Sequence, residues 1–103
     1  MLKVKAEIYF LTEQEGGMKN DVRNGFMPSF DVNGDLIMCK IICNEETITR
    51  GKKHIVEMEF PYGEVYSQYI VKGYEANFHV GSVVLGHGKI LDVIQVTLDE
   101  TTT

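Results

Sequence analysis

Asp31-x-Asn33-x-Asp35 sets three oxygen-bearing side chains at alternate positions, the way a calcium-binding loop begins. Such a loop then needs glycine at its sixth place to turn the chain and glutamate at its twelfth for bidentate ligation. Leu36 and Ile42 stand there instead, so the triplet reads as a polar hairpin turn. Gly86-His87-Gly88-Lys89 has the outline of a phosphate loop, which requires glycine, four residues, then Gly-Lys-Ser/Thr opening a helix. Val83 occupies the place of the first glycine and Ile90 follows the lysine, so this is a strand carrying glycines and no nucleotide is expected.

The remaining reactive side chains are scattered. His54, His79 and His87 have no chelating spacing with one another or with the cysteines, and each reads as a surface or rim imidazole. Cys39 and Cys43 lie four apart in an apolar segment. On a strand they would be about 13 Å apart, too far for a disulfide or a shared metal, so they read as buried free thiols. Ser29, Ser67 and Ser82 lie in no nucleophile-elbow sequence. Glu57 and Glu59 share one strand face with no apolar enclosure to raise a carboxyl pKa. These side chains give no reason to expect an enzyme, a cofactor or a metal.

The 103 residues suffice for one domain with a single core, and 44% hydrophobic with 24% charged residues are globular values. Fifteen acidic residues against ten basic ones leave a net charge of −5, with only Lys52-Lys53 adjacent among the cations. Nucleic-acid binders usually carry a clustered basic face, so RNA is disfavoured as a partner. Lys3, Lys5 and Glu7 break up any apolar signal core, and no apolar run approaches a membrane span. The expectation is a cytoplasmic protein without a membrane partner.

The elements that must position any site are strands. Val4, Ala6, Ile8 and Phe10 alternate with Lys3, Lys5, Glu7 and Tyr9, as a half-buried strand does. Asn33-Gly34 between 29–32 and 35–43 is a strong hairpin signal, because both turn residues need positive φ. Residues 54–60 alternate again, with Val56, Met58 and Phe60 on one face. Tyr69 to Lys72 and Asn77 to Val80 are short strand candidates, and a helical turn is allowed for within 62–73. The final run spans Ser82 to Leu98, with Gly86 and Gly88 marking a bulge, a sharp coil or a close backbone approach. Thr101 to Thr103 are expected to fray. Six or seven short strands with Gly-rich turns imply a small β-barrel or sandwich. Between the first two strands, residues 13–30 show no hydrophobic period, although connections in compact domains usually run about 4–6 residues.

That stretch resembles the start of the C-terminal (third) domain of elongation factor Tu. There, a strand like E-A-E-V-Y-V-L-T leads to E-G-G-R-H-T-P-F-F-x-G-Y-R-P-Q-F. Here Lys5-Ala6-Glu7-Ile8-Tyr9-Phe10-Leu11-Thr12 leads to Glu15-Gly16-Gly17, and Gly25, Phe26, Pro28 and Phe30 fall on the family's Gly, Tyr, Pro and Phe. Gly51, Pro61, Phe78 and Gly86-His87-Gly88 resemble later family positions in the same order. The resemblance covers nearly the whole chain, with an apparent insertion at 65–75 and a shortened last hairpin at Gly81-Ser82.

The resemblance implies an all-β fold, a six-stranded antiparallel Greek-key barrel whose closure removes exposed edges. It also implies a parental role in holding the T-stem of aminoacyl-tRNA beside a separate GTPase domain. The family's two arginines in the first block are Met18 and Met27 here, and its P-F-F is Asp21-Val22-Arg23. Lost cations mean lost phosphate contacts. The expectation is therefore a non-catalytic module binding a protein partner through the 12–27 loop, with Met18, Lys19, Asn20, Arg23 and Asn24 as the contact residues. The alternative is an RNA-binding accessory to translation.

Overall fold

A computed structural model describes residues 1–96. The nine strands of the described residues are β1 (Leu2–Phe10), β2 (Val22–Arg23), β3 (Ser29–Val32), β4 (Asp35–Met38), β5 (Lys40–Ile42), β6 (Thr47–Ile48), β7 (Lys53–Phe60), β8 (Glu75–Val80) and β9 (Val83–Val96). Two 3-10 turns, Glu13–Glu15 and Gly63–Tyr66, complete the regular structure of the described residues, which are all-β. Thr97 and Leu98 of the expected final run, and the fraying expected at Thr101 to Thr103, lie outside the described residues.

Seven strands form one antiparallel sheet in the order β4-β3-β8-β9-β1-β7-β5. Only Cys39 separates β4 from β5, so the two ends of that order are pieces of one chain segment. The Cys39 N–H donates to the Pro28 carbonyl at 3.0 Å, and Ile41 N–H to that of Phe26 at 2.9 Å. The sheet thereby curls into a small barrel whose staves run β1, β7, β5 with β4, β3, β8 and β9.

This order explains the long loop. β3, the β4–β5 segment and β7 follow one another directly, while β1 lies beside β7 rather than β3. Residues 11–28 must therefore pass across the ends of β7 and β5 to reach β3, which is the long connection of a Greek key. A second crossing, 61–74, runs past the other end of the barrel.

Alternation sets the interior. Leu2, Val4, Ala6, Ile8 and Phe10 of β1 are buried, as are Val56, Met58 and Phe60 of β7. Phe30 sits in an aromatic cluster, its ring centroid 5.0 Å from Phe78, 5.9 Å from Phe60 and 6.1 Å from Tyr74. Asn33 (φ 53°) and Gly34 (φ 90°) form the expected hairpin turn, and Asp31 Oδ1 accepts from Gly34 N–H at 2.9 Å. The triplet that opened like a calcium loop is a turn. Gly86 reflects close approach: a β-carbon there would lie 2.2 Å from the Tyr9 carbonyl oxygen. Register shifts between β9 and both β1 and β8 coil this long strand round the barrel.

Three expectations are corrected. Tyr69 to Lys72 is turn, not strand: it belongs to the second crossing, where buried Ile70 plugs the barrel end. The run 35–43 breaks at Cys39, where the strand passes from β3 to β7 as its partner. Closure also leaves an edge. β7 stops at Phe60 before Pro61, so among the described residues β4 is paired only with β3.

Candidate functional site

The 11–28 crossing is a built ridge. Thr12 caps the 3-10 turn reciprocally: its hydroxyl accepts from Glu15 N–H at 3.3 Å, and Glu15 Oε1 accepts from Thr12 N–H at 2.9 Å. The same carboxylate takes the Tyr9 hydroxyl at 2.9 Å. These bonds, the Thr12 N–H foremost, hold Glu15 below the usual carboxylate range, while the bond to Glu15 pushes the Tyr9 phenol up. Both shifts lead away from neutrality, and the bonds that cause them anchor the turn to β1. Gly17 packs directly on the strand end, with space for a β-carbon only 2.2 Å from the Leu11 carbonyl oxygen.

Further along, Arg50 fastens the ridge. Its backbone N–H and Nε both donate to Asp21 Oδ1, at 3.1 and 3.0 Å, and its Nη1 donates to the Met18 carbonyl. The Arg50 backbone N–H, then its side chain, hold the Asp21 carboxyl below its ordinary value. Val22, buried beside Ile48, pairs with it as β2 joins β6. The Asp21-Val22-Arg23 segment thus keeps one apolar anchor between two polar residues.

This frame sorts the expected contact residues. Lys19, Asn20 and Arg23 are exposed, and neither Lys19 nor Arg23 is in an ion pair with a described residue. Asn24 is exposed but committed: its Oδ1 accepts from Cys43 N–H at 2.9 Å, tying the ridge to the segment after β5. Met18 is half-buried against the core and acts as a plug, whereas Met27 remains 51% exposed. Of the expected contact residues, Lys19, Asn20 and Arg23 are therefore exposed beside Met27, while Met18 and Asn24 are engaged within the barrel.

The outer face of β1 and its neighbours carries a charge lattice. Lys53, Tyr9, His87 and Asn77 follow one another across β7, β1, β9 and β8, and Glu7, Lys89 and Glu75 form the next row. Lys53 pairs with Glu7 at 3.6 Å, and Lys3 with Glu57 and Glu59 at 3.7 and 3.5 Å. Tyr9 and His87 stack at 5.2 Å between ring centroids. A shallow concavity of about 270 Å³ lies between these rows. Two acidic side chains, Glu7 and Glu75, balance two basic ones, Lys53 and Lys89, along its lining, which holds no serine, threonine or cysteine.

Among the described residues, no group of three or more His, Cys, Asp or Glu side chains is placed to hold a metal. Both cysteines are free, but only Cys39 is buried, its thiol pushed up to about 12 by desolvation, and Cys43 is half-buried. His87 is exposed, while His79 is half-buried with its Nδ1 enclosed and unpartnered among the described residues. Sequence reasoning missed Arg50 and Glu15. The Thr12-x-x-Glu15 capping-box spacing was a readable signal for the second; Arg50 had none, its partner lying 29 positions away.

Comparison with protein-family models and with curated proteins returns no match. No described helix is long and apolar enough to cross a membrane.

Proposed function

We propose that this chain is a non-catalytic binding module: an elongation-factor-Tu-C-terminal-like barrel that takes a protein partner in the cytoplasm through its 12–27 ridge. The observation that carries the reading is the rigid mounting of an otherwise over-long connection. Arg50, the Thr12–Glu15 box and the β2–β6 pair hold it from three sides, yet Lys19, Asn20, Arg23 and Met27 face solvent. A loop ordered before binding loses little conformational freedom when a partner docks, and binding residues concentrate on such loops.

The test is affinity capture with the wild-type chain and a Lys19→Glu/Arg23→Glu double variant, with and without ribonuclease. A protein retained by the wild type, resistant to ribonuclease and lost with the double variant supports the reading. Capture abolished by ribonuclease, or submicromolar tRNA binding at physiological salt, would overturn it in favour of the RNA accessory. Two free cations supply about two phosphate contacts, against roughly six to ten in strongly salt-dependent binders.

A further inference from the structure

We infer that Asn33-Gly34 is a self-modification site, where the Gly34 amide nitrogen attacks the Asn33 side chain while the Asp31 carboxylate takes the amide proton. The chain has two Asn-Gly pairs, Asn24-Gly25 and Asn33-Gly34, and a glycine after asparagine puts no side chain in the way of such an attack. The fold treats the two in opposite ways. At 33–34 both residues are exposed, and the Asn33 carboxamide has no hydrogen bond to any described residue. A β-carbon on Gly34 would meet nothing within 4 Å, so the approach is open. Gly34 N–H donates to Asp31 Oδ1 at 2.9 Å, so the nitrogen that must lose its proton already faces a carboxylate. At 24–25, Asn24 Oδ1 accepts from Cys43 N–H at 2.9 Å, and Gly25 N–H donates to the Ile41 carbonyl at 2.8 Å. There the carboxamide is pinned, and a peptide carbonyl is no base.

The bonds balance with water as the only co-reactant. The Gly34 nitrogen bonds to Asn33 Cγ as its proton passes to Asp31, closing a cyclic imide. The bond from Asn33 Cγ to its own amide nitrogen breaks, and that nitrogen leaves as ammonia with the proton returned from Asp31. Water then opens the imide at one of its two carbonyls. Cleavage between Gly34 N and Cγ leaves aspartate at 33. Cleavage between Gly34 N and the backbone carbonyl leaves an isoaspartyl linkage, whose backbone runs through Cβ and carries one extra atom. Either product sets a new carboxylate between Asp31 and Asp35. The isoaspartyl form also displaces Gly34 N–H from Asp31. The Tyr74 hydroxyl holds this same turn, donating to the Asp31 carbonyl at 2.8 Å and accepting from Asn33 N–H at 3.0 Å. The modification therefore falls on the seam between the β3–β4 hairpin and the 61–74 crossing.

Incubating the folded full chain at mildly alkaline pH, then mapping each asparagine by peptide mass spectrometry, tests this. Asn33 should convert on the order of a hundredfold faster than Asn24, the low end of what a positioned base supplies. In urea the two pairs become equivalent dipeptides, and the difference should vanish. Asp31→Asn keeps an acceptor for Gly34 N–H but removes the base. It should abolish most of the difference while leaving the circular dichroism spectrum unchanged. Equal rates at the two sites in the folded chain, a difference that persists in urea, or a wild-type rate in Asp31→Asn would overturn the inference.

Discussion

Replacing Gly86 by alanine tests whether β9 lies as close to β1 as the fold requires. A β-carbon at this position would stand 2.2 Å from the Tyr9 carbonyl oxygen, 2.9 Å from the Phe10 Cα and 3.1 Å from Phe10 Cδ1. Ordinary contact begins near 3.4 Å, so the strands must part by about 1 Å, and the nearest obstacles are backbone. The separation falls beside the bond from Leu11 N–H to the Leu85 carbonyl, 2.9 Å long, which starts the long crossing. Overpacking costs about 1–3 kcal/mol and a weakened hydrogen bond about 1 kcal/mol. Against these stands a gain of about 0.5–1 kcal/mol from replacing a flexible glycine. The net expectation is a loss of roughly 2–3 kcal/mol, a large part of the roughly 5–15 kcal/mol of a small domain. Gly88→Ala is the matched control. Its β-carbon would meet only side chains, two Phe78 ring carbons at 3.1 Å and Ile8 Cγ2 at 3.3 Å, and should cost less. The chain has five tyrosines and no tryptophan, so urea unfolding is best followed by circular dichroism. Wild-type stability in Gly86→Ala, or a larger loss in Gly88→Ala, would refute the reasoning.

Phe30→Ala removes a fully buried ring that contacts three aromatic neighbours and should cost about 3–5 kcal/mol, read from the same transition. Arg50→Ala should speed amide exchange at Val22 and Arg23 while leaving β1 and β9 protected, because it frees only the crossing. Glu15 and Asp21 have lowered folded-state pKa values, so their contribution is present above the unfolded value of about 4 and lost as pH falls through the folded one. Acidification should therefore raise exchange in 11–28 before the barrel unfolds. Alkylation of the native protein at mild alkaline pH should label Cys43 alone, with Cys39 reacting only once denatured.

β1 and β7 were legible because each buries one face, which stamps a period of two on its residues. Asn33-Gly34 was legible because few pairs accept two positive φ values in succession. Tyr69 to Lys72 was misread for the complementary reason: a single buried residue, Ile70, carries no period, and β-prone side chains in a crossing look like those in a strand. The site residues divide the same way. Exposure of Lys19, Asn20 and Arg23 follows from polarity, but the fastening of the ridge by Arg50 and the capture of Asn24 by Cys43 N–H depend on chain segments that meet only in three dimensions. The one-sided pairing of β4 among the described residues was hidden too, since it arises from where β7 ends.

The pairing of β1 with β9 bears on how the chain comes into being. During synthesis the first strand emerges with both of its neighbours still unmade, and the second of them is complete only when the residues of β9 have been added. β1 alternates apolar side chains and is rich in strand-forming residues, so during that interval it is an unsatisfied template. Its other neighbour, β7, arrives earlier and closes one side. Birth of the barrel is therefore a late event, triggered when a single coiled strand slides between β8 and β1 and joins the two halves of the sheet. A ribosome stalled before residue 83 would hold a chain with a gap in its wall, open to chaperones and proteases that the finished barrel excludes.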